Sequence, residues 1–244
     1  MPTRDRDLLD LSVQRLLQPD DVSCGPTCLA VVLRYHGVAE ADIAAVMART
    51  PRNPDGGTLA PHLGLAALSF GLGARVWPFA VRVFDPTWRS LGKAALLAKL
   101  RARVAVLTDE RLRDVHEAYV RFIEAGGEVR LGELRGADLV AAIDAGHPLI
   151  TGLSVTWLYQ HAREIAETNT PDDVRGMPVG HFVVVSGYES RGASFLIADP
   201  WPNHPFSGAD RYHVSQRRLL QAILLGDATH DAVVVEIYDP RSEA

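Results

Sequence analysis

Residues 18–30 read Gln-Pro-Asp-Asp-Val-Ser-Cys-Gly-Pro-Thr-Cys-Leu-Ala. A polar loop runs to Ser23. From Cys24 onward the apolar residues Cys28, Leu29, Val32 and Leu33 recur at helical spacing, up to a stop at Gly37. This predicts a helix over 24–36 with a cysteine in its first turn. The first turn of a helix carries unpaired N–H groups and a partial positive charge. Both favour a thiolate over a thiol, so Cys24 stands where a nucleophilic cysteine belongs. Gly25 allows a substrate backbone to come close. Pro26 lies in the first turn, where a missing N–H costs nothing. Gln18 precedes the helix in the polar loop and is placed to reach over its start. Its amide and the Cys24 N–H would together bind a developing oxyanion.

A nucleophilic thiol needs a base, and the base needs an orienting partner. Nine histidines are available. His181 stands out because it follows a glycine and opens a strong strand pattern, Phe182–Tyr188 (FVVVSGY). A second strand pattern, Ser194–Ala198, ends at Asp199, and the turn Glu189–Gly192 joins the two. In an antiparallel hairpin, facing residues have a constant sum of numbers. Centring the hairpin at residue 190 makes His181 and Asp199 directly opposed neighbours at its open end. A carboxylate there would fix the tautomer of the imidazole.

Working outward, helical patterns are expected at 41–49, 58–70, 91–103, 109–125, 136–145, 156–166 and 215–225, with Thr58 capping the second of these. Strand patterns are expected at 74–79, 104–107, 148–154 and 232–238. Residues 51–57 and 168–180 read as turns and loops. Helices cluster early and strands late, an α+β order. The chain of 244 residues is 47% hydrophobic and 23% charged, which supports a sizeable core and excludes a disordered chain. The formal net charge of −5 argues against a general nucleic-acid binder. Cys24 and Cys28 are the two cysteines, too few for a disulfide framework. No apolar targeting segment and no run long enough to span a membrane is visible, so the cytoplasm is the expected location.

The set Gln18…Cys24-Gly25-Pro26, His181-Phe-Val-Val-Val-Ser-Gly-Tyr and Asp199-Pro200 resembles the C39 peptidase family and its C39-like relatives. The resemblance is specific over about 14–37 and 178–202. It implies a papain-like fold, with a helical part carrying the cysteine helix and an antiparallel sheet carrying the histidine and aspartate. It also implies roles: Cys24 as nucleophile, His181 as base, Asp199 orienting His181, and Gln18 supporting the oxyanion hole. The best-known members cut leader peptides after a Gly-Gly pair and are fused to ABC exporters; other relatives stand alone. This chain has no room for a transporter. It carries Ser23 where exporter peptidases usually have Asp. The stretch at about 85–140 looks like a helical insertion within a single domain.

The expected function is therefore a cysteine-dependent hydrolase of a peptide or amide bond, working through a thioester and needing no cofactor or metal. Two alternatives use the same residues. One is an acyltransferase or transpeptidase, in which an amine replaces water. The other is a non-catalytic peptide-binding module. Cys28 reads as core, one turn inside the helix. A Cys24–Cys28 disulfide is disfavoured within one helix, and a zinc site lacks a second cysteine pair. His161 and His204 flank the hairpin. Trp157, Trp201 and Phe206 read equally as substrate platforms or as packing. His62, His116, His147, His213 and His230 carry no functional argument, and His36 reads as a helix-end charge.

Overall fold

The computed structural model describes residues 8–53, 56–206, 210–226 and 232–242. His230 and residues 54–55 of the expected 51–57 loop lie outside them. The chain runs β1 (Leu8–Asp10), α1 (Cys24–Tyr35), α2 (Ile43–Arg49), α3 (Ala60–Ser69), β2 (Gly73–Pro78), α4 (Lys93–Val106) and α5 (Glu110–Glu124). It continues through β3 (Glu128–Val129), α6 (Gly136–Asp144), β4 (Leu149–Ser154), α7 (Val155–Tyr159), β5 (Glu164–Ile165) and β6 (Thr170–Pro171). The last elements are β7 (Gly180–Glu189), β8 (Ser194–Ala198), β9 (Tyr212–Ser215), α8 (Gln216–Leu225) and β10 (Val233–Tyr238).

The main sheet has the strand order β3-β2-β10-β4-β7-β8-β9, with β1 added beside β7. Every pairing in it is antiparallel except β2 with β3. Helices cover both faces. On one face α1, α3 and α5 pack against Phe182, Val184, Val235 and Ile237. On the other, α6, α7 and α8 pack against Val183, Val185, Ile197 and Val234. This explains why residues 182–185 are apolar without alternation: both pleat faces of β7 are buried. Among the described residues, no helix is long and apolar enough to cross a membrane.

Helix α1 is the axis of the first core. Cys28, Leu29, Val32 and Leu33 are fully buried, and its end is pinned to the sheet by His36 Nε2 contacting the Ile237 carbonyl at 3.0 Å. Gly37 leaves the helix at φ +83°, a left-handed conformation that glycine adopts without strain. The stretch 85–140 is mainly helical. Its α5 places Leu112, Val115, Tyr119 and Phe122 in the same core as Cys28 and Leu29.

Four local expectations are corrected. Thr58 does not cap α3; Leu59 holds the cap position, and the Thr58 hydroxyl is buried without a partner among the described residues. The helix expected over 156–166 stops at Tyr159, because Gln160 turns left-handed at φ +58° and β5 follows. Residues 104–106 finish α4 instead of forming a strand. The hairpin register also differs. Val184 faces Ala198 and Val185 faces Ile197, and a bulge at Ser186 then shifts the pairing so that Gly187 faces Leu196. Extending this register sets Asp199 opposite Val183, so His181 is its diagonal neighbour on the same face, not its direct partner. Gly187 has its own reason: a Cβ there would lie 2.2 Å from the Leu9 carbonyl oxygen of β1.

Candidate active site

The four residues expected to carry the chemistry come from three regions. Cys24 opens α1, His181 is the second residue of β7, Asp199 follows β8, and Gln18 lies in the loop before α1. The diagonal placement is within side-chain reach: His181 Nε2 and Asp199 Oδ1 are 2.9 Å apart. The imidazole also interacts with the Cys24 side chain, which favours its charged form. With Nε2 taken by Asp199, Nδ1 is the nitrogen left for sulfur.

Burial opposes charging of His181, but the Asp199 carboxylate, its hydrogen bond and the Cys24 contact outweigh it and raise the pKa to about 10. Asp199 is buried, and burial alone would raise its pKa. His181 and hydrogen bonds from Tyr159 and Tyr212 instead hold it at about 2. Both phenols donate to Asp199 Oδ2 at 2.6 Å, and the Trp201 N–H donates to Oδ1 at 3.0 Å. The carboxylate is therefore saturated with donors, which keeps it ionised and fixed in orientation.

Arg15 completes this support from the far side. Its Nε donates to the Asp199 carbonyl at 2.5 Å and its Nη2 to the Trp201 carbonyl at 2.7 Å. The Gln18 N–H donates to the Pro200 carbonyl at 2.9 Å. The arm that carries β1 thus grips the segment following Asp199. Tyr159, Tyr212 and Arg15 were not singled out in the sequence. A buried tyrosine and an arginine in a polar arm carry no local signal; only the tertiary fold brings them to Asp199.

Gln18 donates from Nε2 to the Asp20 carbonyl at 2.8 Å, which leaves the second amide hydrogen for another acceptor. The start of α1 has no side-chain cap, so the cap takes up none of its first N–H groups. Cys28 is core, as expected. It is fully buried, its Sγ donates to the Phe182 carbonyl at 3.3 Å, and burial pushes its pKa well up.

Two cavities meet at His181. The larger, about 560 Å³, is lined by Cys24, Gly25, Leu59, Arg111, Met177 and Phe182 among others. The smaller, about 330 Å³, is lined by Gln18, Thr156, Tyr159, His161 and Trp201 among others. His161 and Trp201 thus face the cleft, while Phe206 stacks on Tyr212 at 4.1 Å and serves packing. Trp157 lies partly exposed. His204 is buried against the same rings. His116 contacts the Leu112 carbonyl at 2.7 Å, and His147 contacts Glu236 at 2.8 Å. Among the described residues, no group of three or more His, Cys, Asp or Glu side chains is arranged to hold a metal.

Solved structures that resemble the chain include the following two. One is a double glycine motif protease from an AMS/PCAT transporter in complex with the leader peptide: TM-score 0.43, 15% identity, covering 94% of this chain and 93% of that one. The other is a C39-like peptidase from Bacillus anthracis: TM-score 0.45, 15% identity, covering 93% of this chain and 94% of that one. No curated protein sequence matches the chain. The family model described as the Peptidase_C39 like family matches residues 10–218, and the chain belongs to that family.

Proposed function

We propose that the chain is a cysteine-dependent hydrolase of peptide or amide bonds, acting through a thioester acyl-enzyme. The carrying observation is the linked chain Cys24–His181–Asp199, with Asp199 held by two buried hydroxyls. His181 rests as an imidazolium that Asp199 stabilises, already holding through Nδ1 the proton given up by the thiol. The Cys24 sulfur attacks the carbonyl carbon, forming a C–S bond and pushing the electron pair onto oxygen. The Cys24 N–H and the free hydrogen of the Gln18 amide are the donors proposed for that oxyanion. His181 then gives its proton to the leaving nitrogen and the C–N bond breaks. Water, deprotonated by the now neutral His181, attacks the thioester; the C–S bond breaks, the acid leaves, and His181 keeps the proton as the resting imidazolium.

The test is an electrophilic peptide library, such as peptidyl vinyl sulfones, with adducts mapped by mass spectrometry. The expected adduct is on Cys24, is lost in Cys24→Ala and is strongly slowed in His181→Ala. Fluorogenic amides matched to the best probe should then turn over. Adding a primary amine tests where the acyl group goes: release of free acid supports hydrolysis, and an amide product moves the assignment to acyl transfer. An unreactive Cys24 in folded protein overturns the enzymatic reading.

A further inference from the structure

The hairpin β5–β6 walls both cavities. Glu164 and Asn169 border each of them, and so does Asp21 on the loop preceding the nucleophile. Asn169 sits at the hairpin tip in the left-handed region, φ +52°, with its N–H bonded to the Ile165 carbonyl at 2.8 Å. From there its Nδ2 donates to Asp21 Oδ2 at 3.1 Å, joining two exposed side chains 148 positions apart. The two sides of the cleft therefore touch. The contact borders both the larger and the smaller cavity, as does the segment Val179–His181.

The rest of the hairpin is firmly rooted. Glu164 and Met177 exchange backbone hydrogen bonds at 2.8 and 3.1 Å. Asp172 N–H donates to the Arg163 carbonyl at 2.7 Å. At the base, Val155 N–H bonds the Val179 carbonyl at 2.9 Å, and Val179 N–H bonds Thr156 Oγ1 at 3.0 Å. The tip reaches the opposite wall through an exposed hydrogen bond. The segment is built as a strap with a fixed root and a weak latch.

We propose that Asn169 and Asp21 form a latch that determines which substrates reach Cys24. The proposal rests on the reading of Cys24 as an accessible nucleophile. With the latch closed, the cleft is two chambers joined beneath a strap, each within the range of about 300–1,000 Å³ typical of small-ligand sites. A short or extended unbranched chain reaches the sulfur through the larger chamber, which Cys24 lines. A folded loop or a bulky branched group must first break the latch. The substrate class is thus a thin, unstructured peptide or amide rather than a folded protein surface.

The experiment compares two alkylating agents on Cys24 in the folded protein: iodoacetamide, and a maleimide carrying a long polyethylene glycol chain. Cys24→Ala supplies the background. In the wild type, the ratio of bulky-reagent to small-reagent rates should fall well below the ratio measured on glutathione. Losing one exposed hydrogen bond should raise the open population roughly two- to tenfold, so Asn169→Ala and Asp21→Asn should raise that ratio by the same factor. Asn169→Asp sets a second carboxylate against Asp21 and should raise it at least as much. Circular dichroism checks that each variant is folded. A wild-type ratio equal to that of glutathione overturns the latch without any variant, as does an unchanged ratio in all folded variants. Failure of iodoacetamide to label Cys24 is a different result: it overturns the hydrolase reading, and the latch with it.

Discussion

Replacing Tyr212 with Phe measures how Asp199 is held. The substitution removes one hydroxyl and keeps the ring that stacks on Phe206. The lost hydrogen bond is 2.6 Å long, buried, and directed at a carboxylate. Bonds to charged groups contribute about 1.5–3 kcal/mol. Tyr159 remains on the same oxygen, so the carboxylate is not orphaned and the loss belongs at the lower end, about 1.5–2 kcal/mol. In a chain of this length each kcal/mol moves Tm by about 2–4 °C, which gives a fall of about 3–8 °C near pH 6. The pH dependence has a definite sign. Asp199 has a folded-state pKa of about 2, below its ordinary 3.8. Its stabilising contribution is complete above the ordinary value and is lost as pH falls through about 2. Tyr212→Phe raises the folded-state pKa, so the gap between wild type and variant should narrow on acidification within that window. Urea unfolding followed by tryptophan fluorescence, at about pH 6 and about pH 3, reads both effects. A loss under about 0.5 kcal/mol, or an equal loss at both pH values, would refute the reasoning.

Three further outcomes are expected. NMR titration of the His181 ring should show imidazolium persisting until pH passes about 10, and Asp199→Asn should move that transition down, because burial then acts on His181 without its carboxylate. Cys28→Ser should cost less than about 1 kcal/mol in thermal unfolding, below the roughly 1–3 kcal/mol of an unbonded buried hydroxyl, because the Phe182 carbonyl already accepts from this position. Gly64→Ala should destabilise by about 1–3 kcal/mol, since a Cβ there lies 2.4 Å from the Phe122 ring in the packed α3–α5 contact; an unchanged unfolding midpoint would contradict it.

Periodicity made the element types legible. Cys28, Leu29, Val32 and Leu33 mark one buried helix face, and the unbroken apolar run before Gly187 marks a strand covered on both sides. The hairpin could be located but not registered, because nothing local announces that Ser186 is an extra residue. The turn is centred between residues 191 and 192, not at 190, and its register alone would set Asp199 opposite Val184; the bulge moves it to Val183, on the face of His181, as a diagonal neighbour. Thr58 failed as a cap because chain direction into α3 is set by packing, which buries its hydroxyl. The supporting shell was least legible. Tyr159, Tyr212 and Arg15 reach Asp199 across 40, 13 and 184 positions, and their residue types are at home in any core or polar arm. Nor does the sequence announce the contact between Asp21 and Asn169, which exists only once both walls of the cleft are in place.

The docking of the β1 arm onto β7 bears on the order in which the molecule is made. Strand β1 finds its partner at Gly187–Glu189, and Arg15 closes a loop of 184 positions to reach the Asp199 carbonyl. Such non-local contacts form late, after loop-closure entropy has been overcome. Synthesis delivers the N-terminal portion first. Helix α1, with its thiol, therefore emerges and begins to pack long before β7 and β8 exist. Until they arrive, Cys24 has neither the base that would take its proton nor the carboxylate that holds that base. On the function proposed here, Cys24 meets its base only when the last third of the chain closes back on the first.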